Sequence, residues 1–355
     1  MRLSLIKFAL LASAFLLLIS CAQETEFKIN SVSITPIYTD DFSVRAIQPL
    51  DENRVFFASN NGKVGLVGGE IPKLAEIKYT DSLLQFRSIA KTNEAVFVLN
   101  IASPAVLYKI GFDGTNATNI EMVYNESGPK VFFNSMKFWN DLEGIAIGDP
   151  IDDCMLVIIT RDGGNTWEKI PCDQLPKVEK GEVAFAASNS NIAIYGDNAW
   201  VATGGRKSRV MHTGDKGKTW QVYDTPIVHG KAMTGIYTID FANENVGIVF
   251  GGNSEHKTST EKNKAITTDG GKTWKLVGDG EEPSYRSSVK YIPGTNGSGV
   301  VAVASPGGVS YSSDSGESWT QLSDEGFHAI EFINDSIAFA SGNGRISRLI
   351  FRNKK

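Results

Sequence analysis

The chain has 355 residues, of which 21% are charged and 41% hydrophobic, with a formal net charge of −5. These proportions are ordinary for a globular protein, and the mildly acidic balance excludes a nucleic-acid partner, which requires a basic stripe. The three cysteines include no Cys-x-x-Cys, and the four histidines are scattered with no His-x-x-x-His. No metal site is therefore expected.

The first 20 residues differ from the rest. Arg2 and Lys7 precede the apolar run from Phe8 to Leu18, which is short for a membrane span. Leu18-Ile19-Ser20-Cys21-Ala22 follows. A charged start, a short apolar core and a small residue before the cut read as a secretory signal over residues 1–20. Cys21 in this setting resembles a bacterial lipobox, which implies lipidation of Cys21 and anchoring to a membrane; the competing reading is an ordinary signal peptide with a chance cysteine. Cleavage removes Arg2 and Lys7 and no acid, taking the charge from −5 to −7. Residues 21–27 then form a short polar tether.

From Ser31 to Tyr38 the chain alternates like a strand. Seven copies of one arrangement follow, each a strand, a turn with Asn, Asp or Gly, and a run of small and β-branched residues. The first strands begin at Ser43, Gln85, Phe132, Glu182, Ile236, Tyr285 and Gly326. In the fourth copy the reading places the first strand at Glu182-Val183-Ala184-Phe185 and the second at Asn191 to Tyr195. The longest polar insertion, Asn253 to Lys264, lies in the fifth copy. No helix-period segment exceeds two turns.

Copies three to six each carry the pattern small-x-Asp-x-Gly-x-Ser/Thr-Trp: Thr160 to Trp167, Thr213 to Trp220, Thr267 to Trp274 and Ser312 to Trp319. Its aspartates, Asp162, Asp215, Asp269 and Asp314, step by 53, 54 and 45 residues. Asp and Gly between β-type runs mark a hairpin turn, with Gly at positive φ and the carboxylate accepting turn N–H groups. The Trp opens the returning strand and covers the turn. Copies one and two have only Asn60-Asn61-Gly62-Lys63 and Phe112-Asp113-Gly114 at that place. One hairpin per repeat of about 50 residues fits a four-stranded propeller blade. A carboxylate committed to turn N–H groups is a poor general acid or base, so Asp162, Trp167, Asp215, Trp220, Asp269, Trp274, Asp314 and Trp319 are read as structural.

Cys154 and Cys172 are centred on residue 163, the middle of the first such turn. In a regular antiparallel hairpin they would face each other and pair; a one-residue bulge would put them on opposite faces. The seventh copy stops at Phe351 without a fourth strand, and residues 31–38 supply it. The expected architecture is therefore all-β: a seven-bladed β-propeller of four-stranded antiparallel blades over residues 28–352, closed by the N-terminal strand completing the last blade. A monomer is expected.

Inner strands line a propeller's channel, and its mouth is where a ligand would sit. Aligning the seven first strands on one apolar position and reading two residues earlier brings Arg45, Arg87, Asn134, Tyr237 and His328 to one end, with Arg286, Glu182 and Asp149 near them. Guanidinium groups together in an acidic protein point to an anion site, since they match carboxylates in bidentate fashion. The alternative is that these arginines are structural, pairing with Glu182 and Asp149.

The box pattern resembles the Asp-box of sialidases and sortilin-type receptors. The box itself says little about activity, but the combination of Arg, Tyr and Glu invites a sialidase-like alternative, a glycoside hydrolase acting on an acidic sugar, with arginines on the carboxylate, Tyr237 as nucleophile, Glu182 activating it and Asp149 as acid. The chain lacks the Arg-Ile-Pro segment of sialidases; Arg45 and Arg87 precede Ala-Ile and Ser-Ile. Nearly the whole mature chain resembles the photosystem II stability and assembly factor family, in Met136 to Pro150 leading to Thr160 to Trp167 and in Ile239-Asp240-Phe241 leading through Gly251-Gly252 to its box. That family implies a seven-bladed propeller without chemistry of its own, binding a membrane-protein assembly intermediate through an Arg-rich face. The first expectation is accordingly a lipid-anchored, non-catalytic binding or assembly module of a bacterial envelope, with an envelope protein or glycan as partner. No cofactor is expected: the chain has no Gly-x-Gly-x-x-Gly dinucleotide segment and no haem or flavin motif.

Overall fold

The computed structural model describes residues 28–353. The expected signal segment 1–20, Cys21 and the rest of the tether 21–27 lie outside the described residues. Within them the chain is all-β, the one helical element being a 3-10 turn at Cys172–Gln174. Antiparallel four-stranded sheets follow one another along the chain, as in a propeller. Repeat three is representative: Phe133–Phe138, Gly144–Pro150, Met155–Thr160 and Glu168–Lys169 pair in sequence. Its three inner strands are almost wholly buried, while Glu168 and Lys169 are exposed. Such runs of apolar residues with little alternation are what a sheet covered on both faces requires.

The core lies between sheets. Phe97, Leu99 and Leu107 of repeat two pack with Phe133, Met136, Ala146 and Trp167 of repeat three in one cluster. Val301, Val309 and Tyr311 of repeat six pack likewise with Ile330, Ala340 and Leu349 of repeat seven. Burying each large side chain contributes roughly 1.5–3 kcal/mol. The 19-residue strand Ser31–Pro49 serves two sheets. Ser31 to Ser43 pairs with the strand Asn343–Arg352, and Val44 to Pro49 pairs with Val55–Ser59.

At the box turns, Asp162 accepts from the Thr166 N–H at 2.9 Å and the Thr166 hydroxyl at 2.7 Å. Asp215, Asp269 and Asp314 make the same pair of bonds to Thr219, Thr273 and Ser318. Partial burial would push these carboxyls up, but the turn donors outweigh it and hold all four low, Asp215 at about 2. The two central turn positions differ in what they tolerate. The first has positive φ yet holds Lys216 and Ser315 as well as glycine. The second is always glycine, because it abuts the preceding repeat: a Cβ on Gly164 would lie 2.2 Å from the Phe97 ring.

Repeat four departs from the expected layout. Its inner strand is Ile192–Tyr195, paired through the tight Gly196-Asp197 turn to Asn198–Ala202. The expected first strand is not that strand; only Glu182–Val183 is extended, and it pairs with Gly204–Gly205. Residues 170–191 are an excursion. It leaves the outer edge of repeat three, passes the 3-10 turn and returns through the middle of the molecule. Cys154 and Cys172 are joined by a disulfide with Cα atoms 5.6 Å apart. Cys172 meets its partner from the 3-10 turn, beyond the last residue of the returning strand, rather than from a regular hairpin pair.

Candidate functional site

Four inner strands carry the same irregularity. The pairing register skips one residue at Arg45, at Arg87, at Asn134 and at Tyr237. Strict alternation would set Arg45 on the face of the buried Ile47 and Arg87 on that of Ile89. A bulge breaks the alternation and re-aims the extra side chain. Arg45, Arg87 and Tyr237 thereby line one cavity of about 620 Å³ where the inner strands converge.

The floor of this cavity is the excursion of repeat four. Val183 to Ala187 line it directly. The Arg45 Nη1 donates to the Ala187 carbonyl at 2.9 Å, and the Arg87 Nη1 to the Ala186 carbonyl at 3.1 Å. Just beyond, Asn189 sits at φ +60°, donates to the Ile89 carbonyl and accepts from the Met136 N–H. Ser190 donates to Thr238, and its carbonyl accepts from Ile239. With the Ser188 hydroxyl donating to the Ser287 carbonyl, segment 183–190 makes hydrogen bonds to repeats one, two, three, five and six, and it closes the middle of the molecule below the cavity.

The cavity is cationic. Arg45, Arg87 and Lys257 line it with a single carboxylate, Asp149. Among the described residues neither Arg45 nor Arg87 is in an ion pair, and the Arg87 Nε is buried without an acceptor. Burial, and then the neighbouring Arg45 charge, lower Arg87 to about 10; burial also lowers Arg45. His328 lines the cavity too, with Nε2 3.0 Å from Asn343 Oδ1. Burial, followed by the Arg45 charge, brings it down to about 4, so it is a neutral imidazole at pH 7. Asp149 accepts at Oδ1 from the Ala184 N–H at 3.1 Å and from Asn134 at 3.3 Å. Burial outweighs those bonds and raises it to about 6.

Asn134, Arg286 and Glu182 do not line this cavity. Asn134 is wholly buried behind Asp149. Arg286 is 2% exposed and does not line the cavity; it donates to the Ser284 and Tyr285 carbonyls and to the Ser310 hydroxyl. Glu182 is buried in a pair with Arg209 at 2.6 Å and accepts from Thr203. Glu182 completes its hydrogen bonding within its own repeat, whereas Arg286 is held by these bonds in its own sheet with its Nε buried without an acceptor. Tyr237 lies at 3.0 Å from the Met233 carbonyl and 2.8 Å from the Ser254 hydroxyl, with no carboxylate on its oxygen. Burial pushes the phenol up to about 12, the opposite of an activated nucleophile.

Three lining residues escape a reading by strand alignment. Phe185 belongs to the misplaced first strand and stacks on Tyr237 with ring centroids 4.0 Å apart. Tyr285 meets Tyr237 edge-on at 4.8 Å. Lys257 comes from the polar insertion of repeat five and lies over the Tyr285 ring. The insertion's length was the available signal that it reaches across the mouth.

Past the floor, one residue beyond the aligned apolar position, the inner strands carry Lys137, Asp240, Lys290 and Glu331. Lys290 is 3.1 Å from Glu331 and 3.6 Å from Asp240, and Lys137 is 3.2 Å from Glu331. Two lysines and two carboxylates from four repeats satisfy one another there. Burial alone would lower Lys290, but the two carboxylates outweigh it and hold it high. A separate hollow of about 110 Å³ between the outer strands of repeats one and two is lined by Phe56, Leu66, Leu74, Ile110 and Ile120, with Lys73 its only charged residue.

No protein-family model and no curated protein matches the chain. Solved structures do match in fold. "YCF48 bound to D1 peptide" superposes with a TM-score of 0.62 at 13% identity, covering 92% of this chain and all of that one. YCF48 from Cyanidioschyzon merolae gives 0.61 at 15% identity, over 91% and 98%. The WD40 repeats of RRP9 give 0.62 at 12% identity, over 92% and 100%. At these identities the likeness establishes the β-propeller fold.

Proposed function

We propose that the chain is a lipid-anchored, seven-bladed propeller of a bacterial envelope that acts as a non-catalytic binding or assembly module. Its axial cavity receives an anionic group of a protein or glycan partner. The observation that carries this reading is the pair Arg45 and Arg87, which line a cavity of about 620 Å³ and have no carboxylate partner among the described residues. Two desolvated guanidiniums without counter-ions are costly to hold, and an incoming carboxylate gains bidentate hydrogen bonds from them. A blade count of seven is supported by the shared strand Ser31–Pro49, which leaves each repeat with four strands. A structure of this fold bound to a D1 peptide offers a precedent for a peptide as partner. Cys21 would hold the protein at the membrane.

Crosslinking in membranes, followed by affinity purification, tests the reading. One specific partner should be recovered with the wild type and lost with Arg45→Ala/Arg87→Ala. Its retention by the double variant would remove the cavity from the argument. Cys21→Ser should move the protein from the membrane to the soluble fraction. A fluorogenic sialoside assay addresses the hydrolase alternative, and turnover abolished by Tyr237→Phe would overturn the non-catalytic reading.

A further inference from the structure

The cavity that holds Arg45 and Arg87 also presents a carboxylate. Both hydrogen bonds to Asp149, from the Ala184 N–H and the Asn134 amide, fall on Oδ1. Oδ2 has no donor among the described residues and is not sealed from solvent, while Asp149 lines the same cavity as the two arginines. The floor orders these groups. Its Ala184 N–H bonds Asp149, and its Ala186 and Ala187 carbonyls bond Arg87 and Arg45. A three-residue span limits the backbone separation of these attachment points to about 10 Å. The floor backbone therefore faces its donor toward the acid and its acceptors toward the arginines. It leaves an acceptor without a donor at Asp149 and guanidinium donors at Arg45 and Arg87 in the same cavity.

A purely anionic ligand would have its charge near Asp149 as well as near the arginines. Like charges in a half-buried cavity repel, whereas opposite charges at both ends attract. We propose that the axial cavity is built for a dipolar ligand, with its carboxylate at Arg45 and Arg87 and an ammonium group at Asp149. This rests on the anion-site reading above and narrows it: the ligand class is an ω-amino acid or a peptide side-chain pair of that form, rather than a polyanion. The aromatic residues Phe185, Tyr237 and Tyr285 supply an apolar wall for the methylene chain between the charges. The other charged and titratable residues lining the cavity with Asp149 are Arg45, Arg87, Lys257, His328, Tyr237 and Tyr285. Asp149 is raised to about 6, whereas burial lowers His328 to about 4 and pushes Tyr237 up to about 12.

Calorimetric titration of the whole protein with hexanoate, 6-aminohexanoate, adipate and hexylamine tests this at pH 7.5 and pH 5. At pH 7.5 the amino acid should bind at least tenfold more tightly than hexanoate or adipate. At pH 5, where Asp149 is largely protonated, that preference should shrink severalfold. Asp149→Asn should abolish the preference at both pH values while hexanoate still binds. Equal or tighter binding of adipate by the wild type at pH 7.5 would overturn the dipolar assignment but leave the anion site standing. Failure of every carboxylate to bind, with Arg45→Ala/Arg87→Ala indistinguishable from wild type, would instead remove the anion site itself.

Discussion

The two ends of the central channel are built from the same inner strands and resolve their charges in opposite ways. On one side of the floor, Lys137, Asp240, Lys290 and Glu331 neutralise one another within 3.6 Å. On the other, Arg45 and Arg87 make hydrogen bonds only to backbone carbonyls, and the carboxylate that lines the same cavity, Asp149, keeps one oxygen without a donor among the described residues. Both sets are desolvated, so burial does not distinguish them. What distinguishes them is completeness. A closed set of ion pairs serves the fold, because removing a partner strands a buried charge. An open set is a standing cost to the fold and is explained by something that arrives from outside.

The largest expected effect breaks the closed end. Glu331→Gln should destabilise the protein by about 3–5 kcal/mol, because Lys290 and Lys137 lose the carboxylate they share. Urea denaturation checks this, and a shift of less than about 1 kcal/mol would mean the quartet is solvated rather than sealed. Next in size is the tie on the excursion that divides the two ends. The Cys154–Cys172 bond closes a sequence separation of 18 residues, and Cys172→Ser should cost about 3 kcal/mol by the loop-entropy argument. If that loss frees the floor, binding at the open end should weaken while the quartet, and with it most of the fold, survives.

Asp149 sharpens the contrast through pH. Its pKa rises from 3.8 to about 6 on folding. A carboxyl shifted upward contributes fully below its unfolded value and loses that contribution as pH climbs through its folded value. Between pH 4 and pH 6, wild-type stability should therefore fall relative to Asp149→Asn, and the variant should be more stable at pH 7 by up to about 3 kcal/mol. Thermal unfolding across pH 4–7.5 measures the slope; parallel curves would show that Asp149 is hydrated in the native state.

How much of this could be read from residues follows the regularity of the backbone. The all-β architecture was legible because the Asp and Gly of the box turns recur and because each turn uses them in the same way, Asp162 and Asp269 bonding Thr166 and Thr273 alike. Arg45, Arg87 and Tyr237 were reachable because one bulge recurs at one place in their inner strands, so equivalent positions lie at one count from an apolar residue even though simple alternation points them the wrong way. Repeat four departs from its expected layout because Glu182 to Phe185 has the composition of a strand locally, and only tertiary pairing with Gly204–Gly205 and the cavity places it otherwise. The two-residue turn at Gly196-Asp197 was too short to separate two strands by composition. Arg286 sits one position off its equivalents and turns into the sheet, toward Ser310. The ion quartet is not legible in the sequence, because opposite charges on strands separated by up to 194 residues carry no local signal until the fold brings them together.

The smallest expected effect on stability decides what the open end is for. Arg87→Met keeps the aliphatic stem and removes a guanidinium whose Nε is buried without an acceptor. It forfeits one hydrogen bond to the Ala186 carbonyl, worth about 1 kcal/mol, and relieves a desolvated charge beside Arg45. These oppose each other, so stability should change by no more than about 1 kcal/mol, in contrast to Glu331→Gln, although both remove one buried charge from the channel. Carboxylate binding should fall at least tenfold in the same variant, since one arm of the guanidinium pair is gone. If Arg87→Met instead unfolds as readily as Glu331→Gln, Arg87 has a structural counter-charge after all, and the two ends of the channel are alike.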